Sequence, residues 1–203
     1  MDCPKRYRLI VPLKFKVLLV CSNRISALRN EMRRIMSEIE LSYEDLKQEM
    51  IKEIQKHQRM VLATSEGEFV TARSMRCVPN GLNIYNLTNR NSRKYKQITA
   101  NPNVALADGN LQIEGVASLR GHPVDEENAG FIETFQEKQP DAYERWSQRG
   151  HFQNPDVMLI EVAPRRIALY KEGALPSESC IDVLDISNKK AYKLTRKGDR
   201  PTF

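Results

Sequence analysis

Ser92, Arg93 and Lys94 stand together where a strand-like run, Leu82–Leu87 (LNIYNL), gives way to a helical one, Ser92–Ala100. A helix start already carries unpaired backbone N–H groups and the positive end of the dipole. A serine hydroxyl and a lysine ammonium added there make a cradle for a phosphate. The competing reading is a helix whose cations face water, and Arg90 and Lys96 fit it. Position weakens it for the others, because the dipole disfavours each cation at a helix start by about 0.3–1 kcal/mol unless something negative offsets it. A second pair, Arg73 and Arg76, lies in the run Phe69–Val78 (FVTARSMRCV). In a strand, residues three apart point to opposite faces, so these two cannot share a pocket without a bulge.

The elements that must position these groups follow from periodicity and turns. Met60–Thr64, Phe69–Val78, Leu82–Leu87, Val104–Ala107, Leu111–Leu119 and Val157–Tyr170 read as strands, the last bent at Pro164. SEGE, PNG and DGN between them are hairpin turns with a glycine where positive φ is needed. Such close spacing predicts an antiparallel barrel or sandwich. Ser42–Gln58 reads as an amphipathic helix with Ser42 as N-cap and Leu46, Met50, Ile51 and Ile54 on one face. Asn89 or Asn91 is available to cap the helix over Ser92–Ala100, and Asn101-Pro102 ends it. Pro123–Glu137 and Pro140–Arg149 read as two short helices anchored by Phe131, Phe135, Tyr143 and Trp146.

Composition narrows the function classes. The net charge of +6 does not belong to the body of the chain: the first 34 residues hold nine basic side chains against Asp2 and Glu31. The folded body is close to neutral and gives no sign of a nucleic-acid surface. The apolar run Leu9–Cys21 is broken by Lys14 and Lys16, too short and too charged to span a bilayer. Four scattered cysteines and three histidines form neither a disulfide framework nor a zinc pattern, which points to the cytoplasm. We expect residues 1–41 to be a basic extension, disordered or mis-assigned at its start, residues 42–172 to be the functional domain, and residues 173–203 to be a partly ordered tail.

VTARSMRCV, NIYNLTNRNSRKYKQITANPNVAL, QIEGVASL and VMLIEVAPRRIALY, in that order, resemble the FMN-binding split-barrel family typified by pyridoxamine 5'-phosphate oxidase. The resemblance implies a mainly β fold with flanking helices, a six-stranded antiparallel split β-barrel. It also implies a homodimer with one FMN in each of two clefts at the subunit interface. Carried over position by position, the phosphate of FMN falls to Arg73, Ser92, Arg93 and Lys94. Arg73, Ser74, Met75 and Arg76, with Leu87 and Thr88, match the strands that border the isoalloxazine ring. Asn110 or Gln112 matches the amide that contacts it. Val78 stands where the oxidase has a lysine, and the C-terminal W-x-R-x-R-L-x-P segment is absent, so vitamin B6 oxidation is in doubt.

The resulting expectation is an FMN-dependent oxidoreductase acting on a small molecule. The alternatives are a flavin carrier, store or sensor without turnover, or the same fold holding haem or a deazaflavin. No side chain stands out as a catalytic acid or base.

Overall fold

Alternation of buried and exposed residues along Arg59–Glu66 and Phe69–Arg76 makes these two runs a hairpin, closed at Gly67 with φ +57°. In a computed structural model that describes residues 36–196, they are strands β2 and β3, paired from Arg59↔Arg76 to Glu66↔Phe69. The run read as one strand to Val78 breaks at Cys77. There the backbone N–H leaves the hairpin and donates to Gln58 O (2.9 Å), and β4 (Val78–Asn80) pairs instead with β5 (Asn83–Asn89). β6 (Asn103–Asp108), β7 (Leu111–Leu119) and β8 (Val157–Lys171) complete an antiparallel meander in which β6 also pairs with β2.

The expected split barrel with flanking helices is present, but its six strands are part of a ten-stranded network. The additional strands are β4 and three at the chain's outer ends: β1 (Met36–Glu40), β9 (Cys180–Asp185) and β10 (Lys190–Arg196), in the order β1-β10-β9-β8. Backbone pairing thus crosses both boundaries drawn from the sequence at 41 and 173. Residues 1–35 of the leader and 197–203 of the tail lie outside the described residues.

Among the described residues four helices pack on this sheet. α1 (Tyr43–Ile54) starts at Ser42, whose side chain accepts from Asp45 N, and buries Leu46, Met50 and Ile54 against the barrel. α2 (Arg93–Ala100) is capped by Ser92, not by Asn89 or Asn91. Asn89 is already committed, since its Oδ1 accepts from Asn91 N at 2.8 Å. Asn101 leaves the helix with φ −143° and ψ 105°, the extended conformation that the following proline requires. α3 (Ala129–Lys138) follows a single 3-10 turn at Glu126–Asn128, and α4 (Pro140–Gln148) begins on its proline.

Two apolar clusters result. The barrel interior holds Met60, Leu62, Ile84, Leu106, Ile113, Ile160 and Ile167. Each such side chain contributes about 1.5–3 kcal/mol by leaving water. The second cluster lies under α3 and α4, where Phe135 meets Tyr143 and Trp146 edge-on and Phe131 stacks beside Tyr85.

β8 serves two parts of the molecule. Residues 157–162 pair with β5 and residues 166–171 with β9 along the same edge, while β7 occupies the other. The register slips between Glu114 and Gly115. At Gly115 the backbones come so close that a Cβ would sit 2.7 Å from Ala163 O.

Candidate functional site

Among the described residues β3 pairs only with β2, so its other edge is free of strand partners. Facing it across the split is β5, and between them opens a cavity of about 410 Å³. Ser74, Met75 and Arg76 line one wall, Leu87, Thr88 and Asn89 another, and Lys94 enters from the first turn of α2. Trp146 from α4, with His151, Asn154 and Val157 after it, forms the outer wall, and Arg59 completes the rim.

Lys94 is the informative group. Burial, then the charge of Arg73, pushes its ammonium below the ordinary value of 10.5. Arg73 is in turn lowered by burial and by the charge of Arg93. Three cations therefore press on one another at a helix start that has no acidic residue in its first turn. Among the described residues none of the three is ion-paired. That is an arrangement for holding an anion.

Arg73 itself does not line the cavity. Its guanidinium lies on the inner face of the hairpin under α2 and donates to Leu62 O (3.1 Å), Thr64 Oγ1 (2.7 Å) and Thr71 Oγ1. Gln97, fully buried on α2, accepts from Thr64 and Thr71 at 2.7 Å each and from Arg73 at 3.4 Å. This neutral network fixes the arginine without cancelling its charge. Arg76, on the opposite face as the alternation requires, donates instead to Gln139 Oε1 at 2.8 Å.

Of the residues singled out in the sequence, the structure brings Ser74, Met75, Arg76, Leu87, Thr88 and Lys94 onto the cavity wall. Arg73, Ser92 and Arg93 stand behind Lys94. Ser92 Oγ is occupied by the Tyr95 N–H (3.4 Å) and by Thr88 Oγ1 (3.0 Å), and Arg93 is exposed. Asn110 and Gln112, exposed in the β6–β7 turn and on β7, do not line it. Sequence reasoning missed Arg59, Trp146, His151 and Asn154. Arg59 was within reach, since counting outward from the SEGE turn sets it opposite Arg76. Trp146 read as a core anchor, and it is one, but one edge remains open to the cavity.

A second depression, about 370 Å³ over Thr64, Val70, Gly115 and Arg165, contains Glu114 and none of the residues singled out. Among the described residues no helix is long and apolar enough to cross a membrane.

The model of the family described as pyridoxamine 5'-phosphate oxidase matches residues 46–171. No curated protein matches the chain. Among solved structures, Campylobacter jejuni ChuZ is 14% identical over 81% of this chain and 68% of its own, with a TM-score of 0.57. A heme binding protein from Mycobacterium smegmatis is 12% identical over 74% of this chain and 61% of its own, with a TM-score of 0.54. General Stress Protein 26 from Bacillus anthracis str. Sterne is 25% identical over 60% of this chain and 91% of its own, with a TM-score of 0.46. The first two likenesses are of fold, and the family match spans both walls of the cavity from Arg59 to Val157. The chain belongs to the pyridoxamine 5'-phosphate oxidase family.

Proposed function

We propose that the chain is an FMN-dependent oxidoreductase acting on a small molecule. The observation that carries this reading is Lys94, a partly buried ammonium at a helix start, backed by Arg73 and Arg93 and aimed into the cavity at the free edge of β3. The residues present fit the cofactor. The phosphate would sit at Lys94 and the first backbone N–H groups of α2, with Arg73 and Arg93 adding charge and Ser92 holding the helix start in place. The ring would lie along Ser74–Arg76, whose strand edge offers backbone polar groups, with Leu87 and Thr88 opposite. FMN supplies hydride and electron chemistry when bound, and the chain's own residues bind and orient it.

A homodimer belongs to the same reading. Val61 and Val70 share one face of the β2–β3 hairpin and are 43% and 68% exposed, and Phe69, 71% exposed, stands beside its turn, apolar side chains suited to a second copy. Asn110 and Gln112, which lie off their own cavity, would then meet the FMN of the partner. The cofactor domain is residues 42–172, with the strands outside it serving as a brace.

Titration of the purified chain with FMN tests the reading. Wild type binds FMN stoichiometrically and turns yellow. Lys94→Ala loses a charge-assisted contact and weakens binding by about 1.5–3 kcal/mol, while Lys96→Ala on the exposed face leaves it unchanged. Equal affinity in wild type and Lys94→Ala overturns the placement. Bound FMN that no nicotinamide, quinone or oxygen system reduces or reoxidises assigns a carrier or sensor instead. A haem reading rests on His151 at the cavity wall and on the described property of the Mycobacterium smegmatis protein. Haem that binds where FMN does not, through a His151 whose alanine variant abolishes the spectrum, decides for it.

A further inference from the structure

The cavity wall Ser74–Arg76 ends where β3 breaks, and side chains from elsewhere hold that break. Arg76 is the last residue paired with β2 and Val78 the first paired with β5. Around this gap Arg76 O accepts from Asn86 Nδ2 (2.7 Å), Cys77 O from Gln139 Nε2 (2.6 Å) and Pro79 O from Lys138 Nζ (2.8 Å). Two of these three donors, Lys138 and Gln139, stand at the junction of α3 and α4.

Gln139 is itself tightly held. It is 6% exposed, its backbone N–H donates to Phe135 O (3.0 Å), and its carbonyl accepts from Ala142 N (3.0 Å) and Tyr143 N (2.9 Å). Its amide spans two neighbouring residues of the break: Nε2 donates to Cys77 O, and Oε1 accepts from Arg76 Nη1 at 2.8 Å. Arg76 is half-buried, lines the cavity and has no ion pair among the described residues. Because Gln139 is neutral, it aims the guanidinium without cancelling its charge and leaves it N–H groups to spare. The helix that follows Gln139 also carries Trp146 to the cavity wall.

We propose that Arg76 tunes the electron affinity of the cofactor and that Gln139 is the residue that positions it for this task. The proposal rests on the reading of the cavity as an FMN cleft with the ring along Ser74–Arg76. Oxidised FMN takes two electrons and one proton from a reductant such as dithionite, which is itself oxidised to bisulfite, and the ring gains one negative charge. A fixed guanidinium on the adjoining wall favours that charge over the uncharged oxidised ring, and more so where water is scarce. Removing or loosening the guanidinium therefore lowers the reduction potential.

Dithionite titration of the FMN-loaded full-length protein, beside a reference dye, reads that potential. Arg76→Gln lowers it by about 30–60 mV, a ten- to hundredfold shift of a two-electron equilibrium. Gln139→Leu lowers it by about 30 mV, or tenfold, and adds nothing in the Arg76→Gln background, since it acts through the arginine. Lys96→Ala, on the exposed face, leaves the potential unchanged. A Gln139→Leu variant that melts earlier but keeps the wild-type potential overturns the positioning role, as does a further fall in the double variant. Should Gln139→Leu fail to fold, Arg76→Lys decides: it keeps the charge but loses the fork that reaches Gln139, and a wild-type potential there overturns the role. FMN uptake is read by flavin absorbance on the same samples. Uptake with an unchanged potential in Arg76→Gln overturns the tuning and keeps the cofactor reading, whereas a wild-type chain that takes up no FMN overturns both.

Discussion

Lys94 and Lys171 are the same residue in opposite circumstances. At the cavity, Lys94 is desolvated beside other cations, and its ammonium is pushed down. At the other end of β8, burial also pushes Lys171 down, but Asp182 and Glu49 outweigh it, and the ammonium is lifted. Its Nζ lies 2.6 Å from Asp182 and 2.5 Å from Glu49, tying β8 to β9 and to α1. Asp182, 2% exposed, also faces Lys193 at 4.0 Å. The chain is thus able to pair its cations where they hold the frame together. Around the cavity, by contrast, the partly buried Lys94 and Arg73 have no ion pair among the described residues, although burial and neighbouring cations work against their charge.

The largest effect comes from damaging the paired end. Asp182→Ala strands two lysines beside a buried wall and lowers stability by about 2–3 kcal/mol, with partial exposure of the lysines limiting the loss. Thermal unfolding then shows a fall of about 5–10 °C, with FMN affinity per folded molecule unchanged. A smaller loss, about 1–3 kcal/mol, follows Gln97→Leu, which deprives Thr64, Thr71 and Arg73 of a shared acceptor. Unlike Asp182→Ala, this change also weakens FMN, because Arg73 loses its anchor. A cofactor titration beside a melting curve separates the two.

The smallest effect has the opposite sign. Lys94→Met removes a desolvated charge and raises the melting temperature of the FMN-free protein by about 1–2 °C while weakening FMN. The alkaline limb sharpens the contrast. The unfolded chain holds the Lys94 proton more tightly than the folded one, so this group adds stability as pH rises between its lowered value and the ordinary 10.5. Lys171 is bound more tightly when folded, so its contribution is present below 10.5 and is lost as pH rises through its raised value. Melting curves taken across this range therefore fall more steeply in Lys94→Met than in wild type and less steeply in Lys171→Met. Identical slopes in the three proteins sink the comparison.

The barrel was legible because its strands alternate or carry glycine turns, and α1 because its apolar face repeats at helical spacing. β9 was not, since CIDVLD buries four of its six positions, three of them in a row, with β8 and β10 at its edges and α1 packed on it. A run without alternation cannot be assigned a face from sequence. β1 has the reverse problem: MSEIE is mostly exposed, and only its pairing with β10 makes it a strand. The cations of the cavity were visible as residues, and strand alternation already set Arg73 and Arg76 on opposite faces. What each of them meets, Gln97 of α2 for Arg73 and Gln139 at the start of α4 for Arg76, is a long-range arrangement no local pattern encodes. The cap of α2 turned on a similar matter, because Asn89 spends its carbonyl on Asn91 and leaves the task to Ser92.

Gly115 connects the two regions contrasted above. The register slip beside it is where β8 ceases to run alongside β5 and begins to run alongside β9, and a methyl group there would strike Ala163 O. The angle between the cavity wall and the braced hairpin is therefore set by a missing carbon atom. A substitution as mild as alanine would have to pry β7 from β8, turning the ligand-facing half of the barrel relative to its frame and altering the width of the cleft from a point that touches no ligand.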